Sequence, residues 1–271
     1  VTHTRKALRL RRLSRPRDGK YLFVPLDHSV SDGPVVPNQR WEGLIGALVA
    51  GGADAIVVHK GRVRLIDPVV LGDCALVVHL SAGTAHAADT NAKVLVGDVE
   101  EALRLGADAV SVHVNIGSDT EERQLADLGT VAASCDRWNV PLIAMVYARG
   151  PRVADPYDPV LLSHVVNIAA DLGADIVKTS MALPIGRMAD VIANCPIPVL
   201  AAGGPVDAAD PVGYAAAAMR AGCAGLAIGR RVFTDPAPRS LVAGLVSAVH
   251  QGAVHRGVHT DHPITTTTGA A

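Results

Sequence analysis

The chain is poor in aromatic residues, 3% of 271, and in charged ones, 19%, while hydrophobic residues make up 49%. A large core can be built from aliphatic side chains, and a chain of this composition is neither disordered nor fibrous. Lysine is scarce: of 25 basic residues only Lys6, Lys20, Lys60, Lys93 and Lys178 are not arginine. A lysine kept inside an apolar run is therefore hard to dismiss as drift. Net charge is −1, so electrostatics favours neither nucleic acid nor an anionic membrane as a partner. The four cysteines (Cys74, Cys135, Cys195 and Cys223) form no C-x-x-C pair. Neither a disulfide framework nor a thiolate zinc site is indicated, and a reducing cytoplasm is the expected setting. No apolar run is long enough to span a bilayer, and the basic segment Thr4–Arg17 leads into no apolar signal core.

What is present is a repeat. Eight short apolar runs occur at Tyr21–Leu26, Ala55–His59, Ala75–Leu80, Ala109–Val114, Leu142–Tyr147, Asp175–Lys178, Pro198–Ala202 and Gly225–Ile228. They are nearly continuous rather than alternating, the pattern of strands buried on both faces. Helical spacing of apolar residues occupies Val99–Leu105, Glu121–Trp138, Pro159–Leu172, Ala208–Ala221 and Pro238–Val249. Gly-Ala-Asp joins helix to strand at 52–54, 106–108 and 173–175, with Gly222-Cys223-Ala224-Gly225 as a variant. Glycine suits the left-handed residue that ends a helix. Eight strands alternating with helices, in a length near the usual ~250 residues, predict a single α/β domain, a (β/α)8 TIM barrel over residues 1–250. No G-x-G-x-x-G follows the first run, which weakens a doubly wound dinucleotide fold. Residues 4–17 are expected to form a helix or arm outside the repeat, and the Thr-rich segment 251–271 a disordered tail.

In such a barrel the chemistry sits at the C-terminal ends of the strands. Those ends read Asp27-His28, His59-Lys60, His79-Leu80-Ser81, His113-Val114-Asn115, Tyr147-Ala148-Arg149, Lys178-Thr179-Ser180, Gly203-Gly204 and Gly229-Arg230-Arg231. Strand alternation puts Ile176, Lys178 and Ser180 on one face. If that face is the interior, desolvation favours a free amine able to attack a ketone and form a Schiff base. The alternative is a lysine paired with an acid or reaching solvent. Lys60, just past its strand, is a rival nucleophile that reads better as a loop residue. Asp27 can orient or protonate the amine, shuttle protons for carbinolamine chemistry, or simply cap a loop. Tyr147 can act as acid or base toward an alkoxide, or be a buried phenol with a backbone partner. Gly203-Gly204 and Gly229-Arg230 fit the phosphate site common after the last two strands, against the reading that the glycines only make tight turns. The strand-end histidines His28, His59, His79 and His113 could ligate a divalent metal, although no pair has helical ligand spacing.

These motifs resemble a known family. Val24-Pro25-Leu26-Asp27-His28, His59-Lys60-Gly61, His79-Leu80-Ser81, Gly106 to Asn115, Ile176 to Ser180, Ala202 to Pro205 and Ala227 to Arg230 are similar, in order, to class I aldolases of the archaeal fructose-bisphosphate aldolase or DeoC-like type. The likeness runs from about Arg5 to His250, and Pro141 to Met145 and Ser111 to Gly117 resemble its branch of seven-carbon amino-sugar-acid synthases. It implies Lys178 as Schiff-base lysine, Tyr147 as proton donor and Asp27 as proton acceptor, with no metal and no other cofactor. It implies that His28, Ser29, Val30, Ser31, Ala148, Arg149, Gly203, Gly204, Gly229 and Arg230 line a phosphorylated ketose, and that the partners are that ketose, an aldehyde and further copies of the chain, as a ring or decamer. The expected reaction joins dihydroxyacetone phosphate or a deoxyketohexose phosphate to aspartate semialdehyde, on the way to an aminohydroxybenzoate or dehydroquinate-type ring. Fructose-bisphosphate cleavage, a metal-dependent lyase and a non-catalytic sugar-phosphate binder are the alternatives. Ser29, where the branch usually has Gly, and Ala148, where it usually has Pro, bear on the exact substrate.

Overall fold

The computed structural model describes residues 4–204 and 210–250; the segment 251–271, expected as a tail, and Pro205 lie outside the described residues. Among the described residues ten strands occur in the order β1 Tyr21–Pro25, β2 Ala55–Val58, β3 Ala75–His79, β4 Ser81–Ala82, β5 Val94–Leu95, β6 Ala109–Ile116, β7 Leu142–Ala148, β8 Ile176–Thr179, β9 Val199–Ala202 and β10 Gly225–Ala227. Eight close into a barrel in the order β1-β10-β9-β8-β7-β6-β3-β2, every pair parallel. Each lies on one of the expected apolar runs, with β6, β7 and β8 ending one or two residues beyond theirs. Helices including Trp41–Gly51, Glu121–Trp138, Pro159–Asp171, Pro211–Arg220 and Pro238–His250 follow the strands in sequence. The helix expected from Ala208 starts at Pro211 among the described residues, with Asp210 accepting a hydrogen bond from Gly213 N–H at its start. The two-stranded β4–β5 hairpin is an addition that the sequence pattern did not announce.

The burial pattern follows from alternation along the strands. Leu22, Val24, Ile56, Val58, Leu142 and Ala144 join the outer core, which also includes helix residues such as Leu48, Leu128 and Val165. Tyr21, Phe23, Ala55, Val57, Ala75, Val77, Ala109, Ile143, Met145, Ile176, Leu200 and Ala227 join a second core with Leu13. Both faces of each strand are thus buried, and the inner filling is mostly small. Helix Thr4–Arg12, the expected arm, leads to Leu13, and Leu10 packs on the same inner cluster. Burying a leucine such as Leu13 stabilises by about 2 kcal/mol.

The Gly-Ala-Asp repeat builds the end of the barrel where the strands begin. Gly52, Gly106, Gly173 and Gly222 all adopt left-handed φ, between 87° and 98°, and end the preceding helix or its turn. Each repeat aspartate then clasps the neighbouring strand. Asp54 N–H donates to Leu22 C=O at 3.0 Å while its Oδ2 accepts from Leu22 N–H at 2.6 Å. Asp108 does the same with Leu76, at 2.9 and 3.0 Å, and Asp175 with Leu142, at 2.9 and 2.8 Å. A side-chain oxygen so satisfies a backbone donor at the strand start, where the ladder has no partner. The fourth copy has no aspartate, and there Ala224 N–H bonds Val199 C=O at 2.8 Å.

Candidate active site

The inner alternation that places Ala and Val in the lower barrel continues upward into polar residues. Ala55 and Val57 lead to His59, Ala75 and Val77 to His79, Ala109 to Ser111 and His113, Ile143 and Met145 to Tyr147, and Ile176 to Lys178. Asp27 follows β1 at its C-terminal end. The apolar plug therefore becomes a polar mouth within one or two residues of each strand end.

Lys178 is 8% exposed and lies in register with Met145 of β7 and Leu200 of β9. Among the described residues its ammonium makes no hydrogen bond and has no carboxylate within 4.0 Å. Tyr147 is buried two residues beyond Met145 on the neighbouring strand. Asp27 faces two imidazoles: its Oδ1 is 3.6 Å from His28 Nδ1, and its Oδ2 is 3.7 Å from His79 Nε2. Both Asp27 Oδ1 and His28 Nδ1 are buried without a hydrogen-bond partner, as is Thr179 Oγ1. Burial works to raise the Asp27 carboxyl, but His79, His28, Lys178 and His59 outweigh it and hold its pKa at about 2. Asp27 is thus a carboxylate throughout the neutral range, able to take a proton from an attacking amine.

The histidines behave differently. Burial, opposed by Asp27, pushes His79 down to about 4 and lowers His28 and His59. These imidazoles are neutral near pH 7 and can relay a proton without adding charge. His79 Nδ1 shares a hydrogen bond with Ser111 Oγ at 2.8 Å, and its ring stands 5.2 Å from that of His59. His113 packs 5.1 Å from the Tyr147 ring and bonds Asn115 Oδ1 through Nε2 at 2.9 Å. Among the described residues no three His, Cys, Asp or Glu side chains converge as a metal site.

Of the residues expected to bind substrate, Arg149 lays its guanidinium 4.1 Å from the Tyr147 ring centroid, and His28 and Ser29 are half-buried beside Asp27. Ala148 is buried in β7, Val30 is exposed, and Ser31 donates from Oγ to the carbonyl of His28 at 3.1 Å. Gly229 leaves no room for a side chain: a Cβ there would meet the Pro25 carbonyl and lie 2.7 Å from His28 Cε1. Gly204 is exposed with φ +69°, a left-handed turn that favours glycine. Arg230 starts the short helix Arg230–Phe233 and is exposed, while Arg231 turns inward and donates to Gly203 C=O at 3.3 Å. Arg231 thus links the two glycine turns, a role the sequence reading did not give it. Lys60, the rival lysine, is drawn off by Glu101 at 2.9 Å. His79, Ser111 and Lys93, which sits half-buried just before β5, belong to the mouth as well. The signal for Ser111 was available in its alternation with Ala109 and His113.

The arrangement offers a buried lysine, an ionised carboxylate, a phenol and a glycine-lined rim at one end of the barrel. Comparison with known proteins shows the family of the chain. Residues 21–235 match the model of the DeoC/LacD family aldolases. The chain is 49% identical over 247 residues to a 2-amino-4,5-dihydroxy-6-oxo-7-(phosphonooxy)heptanoate synthase of Streptomyces griseus, covering 90% of each chain. It is 38% identical over 254 residues to a 2-amino-3,7-dideoxy-D-threo-hept-6-ulosonate synthase of Halobacterium salinarum, covering 93% of this chain and 94% of the relative. The fold is shared with an archaeal fructose 1,6-bisphosphate aldolase at a TM-score of 0.80 and 24% identity, over 92% of this chain and all of that one (100%). No described helix is long and apolar enough to cross a membrane. The chain belongs to the DeoC/LacD family of aldolases.

Proposed function

We propose that the protein is a class I aldolase in which Lys178 forms a Schiff base with a phosphorylated ketone and the resulting enamine adds to aspartate semialdehyde. The observation that carries this reading is the position of Lys178: buried at the mouth, free of any acid within ion-pair range, and flanked by Asp27 and Tyr147. A lysine whose Nζ is tied to no other side chain among the described residues is able to turn onto a ketone carbon.

The product named for the Streptomyces relative guides the choice of substrates. Cutting that seven-carbon skeleton between its two adjacent hydroxyl carbons leaves dihydroxyacetone phosphate on the ketone side. The other half is aspartate semialdehyde. In the forward direction Lys178 Nζ adds to the donor ketone, and loss of water gives an iminium. That iminium draws electrons from the neighbouring carbon, which loses a proton to become the enamine. The enamine carbon bonds to the aldehyde carbon, and Tyr147 supplies the proton to the aldehyde oxygen as it becomes hydroxyl. Water then hydrolyses the iminium and frees Lys178. Asp27 serves the proton transfers of carbinolamine formation and hydrolysis. Gly203-Gly204 and Gly229-Arg230 hold the donor phosphate, whose binding energy fixes the ketone against Lys178. No metal or separate cofactor enters this scheme, and the working form is a homo-oligomer in a cytoplasmic setting.

Incubating the protein with dihydroxyacetone phosphate and aspartate semialdehyde tests the reading. The expected product has the summed mass of both substrates and retains the phosphate. Product without phosphate, from a deoxyketohexose phosphate donor only, would shift the assignment toward the reaction of the Halobacterium relative. No condensation with either donor would defeat it.

A further inference from the structure

The hairpin after β3 is the part of the mouth that the proposed reaction leaves unused. The loop between β4 and β5 is tied down at both ends. Ala85 N–H donates to Ser31 C=O at 3.0 Å, and Asn91 C=O accepts from Asn115 Nδ2 at 2.7 Å and Gln124 Nε2 at 3.1 Å. Lys93 leaves this loop just before β5. Its half-buried ammonium donates to Thr90 C=O at 3.3 Å and packs over Gly83, where a Cβ would lie 2.8 Å from Nζ.

Lys93 lies two residues after Asn91, whose carbonyl is held by Asn115, and Asn115 is in register with Tyr147 of β7, the ring that Arg149 covers. Burial first and the charge of Arg149 second act against the Lys93 ammonium, and burial, then Arg149 and Lys93, depress His113. Asp89 and Asp32 attract Lys93 from outside ion-pair range, and Asp89 Oδ2 is itself buried without a hydrogen-bond partner. Among the described residues neither Lys93 nor Arg149 has a carboxylate within 4.0 Å. Two cations held near one another in partly buried surroundings repel, and an anion placed between them relieves that repulsion.

Their place in the barrel says which anion. The strand order β10-β9-β8-β7-β6-β3 puts the glycine turns after β9 and β10 on one side of Lys178. Arg149 after β7, and Lys93 in the excursion between β3 and β6, lie on the other. The acceptor aldehyde must present its oxygen to Tyr147, whose ring contacts Arg149 and His113. In a four-carbon aldehyde-acid the carboxylate carbon is three bonds from the aldehyde carbon, about 4 Å away. The charge therefore falls among the groups bordering Tyr147. We propose that Lys93 and Arg149 form an acceptor subsite that takes the carboxylate of the aldehyde substrate and selects acid-bearing aldehydes over neutral ones, so that Arg149 serves the acceptor and not the ketose that the resemblance implies for it. This rests on the aldol reading above, because it places the acceptor by the role of Tyr147.

The test compares wild type, Lys93→Gln and Lys93→Arg with dihydroxyacetone phosphate as donor and either aspartate semialdehyde or butanal as acceptor. Butanal has the same chain length and no charge. Lys93→Gln is expected to raise KM for aspartate semialdehyde about tenfold or more, the size of a lost charge-assisted hydrogen bond. Its kcat/KM for butanal should change less than about twofold, and Lys93→Arg should recover most of the loss. Equal losses on both aldehydes, no loss on either, or a wild type that takes butanal as well as aspartate semialdehyde overturns the subsite. Borohydride trapping of the donor on the wild type needs no acceptor, so failure to trap it defeats the aldol reading separately. Trapping without use of either aldehyde overturns the subsite alone.

Discussion

Lys6 and Lys178 are nearly equally buried, 6% and 8% exposed, yet they are treated in opposite ways. Lys6, on the N-terminal helix, has its Nζ 2.8 Å from Asp136 and 2.9 Å from Asp175. Burial works against its charge, but hydrogen bonds to both acids prevail and its pKa is raised. Lys178 has no such partner. The same contrast separates the two ends of the barrel. Where the strands begin, the repeat aspartates satisfy backbone donors, and His250 bridges Asp18 at 2.9 Å and the fully buried Asp54 at 3.0 Å. Where the strands end, Asp27, His28, Thr179 and Asp89 each keep a buried polar atom without a hydrogen-bond partner; Trp41 is the other case among the described residues. One end satisfies its buried polar groups, and the other leaves several of them without a hydrogen-bond partner around the proposed site.

Three substitutions can break or sharpen that contrast. Lys178→Met is expected to reduce turnover at least about a thousandfold while leaving the thermal midpoint unchanged or higher, because it replaces a buried polar group that makes no hydrogen bond among the described residues with an apolar one of similar length. A large fall in the midpoint would mean that Lys178 is a structural lysine like Lys6. Lys6→Met should do the reverse. Leaving Asp175 and Asp136 without their cation costs about 3 kcal/mol of unfolding free energy in urea titration, with kcat at 25 °C within about twofold of wild type. Loss of activity in a fully folded Lys6→Met protein would join the two ends.

His250→Gln is the smallest effect and carries a pH signature. Burial opposes the charge on His250, but hydrogen bonds to Asp54 and Asp18 raise its pKa in the folded state. A raised folded pKa means that the folded protein binds the proton more tightly. The stabilisation is then complete below the unfolded value near pH 6.5 and is lost as pH rises through the folded pKa. The stability gap between wild type and His250→Gln should be about 1–2 kcal/mol at pH 6 and shrink at alkaline pH. A gap that grows with pH would show that the histidine is neutral in the fold.

Much of this was legible before any coordinates. Continuous apolar runs named all eight barrel strands, because a strand buried on both faces leaves no polar alternation to misread. Lys178, Asp27 and Tyr147 stood out because each is an ionisable residue at the end of such a run. What escaped depends on contacts distant in sequence. The Gly-Ala-Asp repeat announced a turn, but that Asp54 reaches the first donors of β1 can be seen only once the strands are paired. Lys93 reads as a loop lysine until Asn91, two residues before it, is bound to Asn115 beside Tyr147. Arg230 and Arg231 are neighbours of one type, and only the turn of a short helix decides which points inward.

Borohydride reduction in the presence of dihydroxyacetone phosphate, followed by intact mass and peptide mapping, tests the central claim most directly. The account predicts one reduced three-carbon phosphate adduct per chain, carried by Lys178 and absent from Lys178→Met. An adduct on Lys60, Lys93 or another lysine, or undiminished turnover in Lys178→Met, would contradict it.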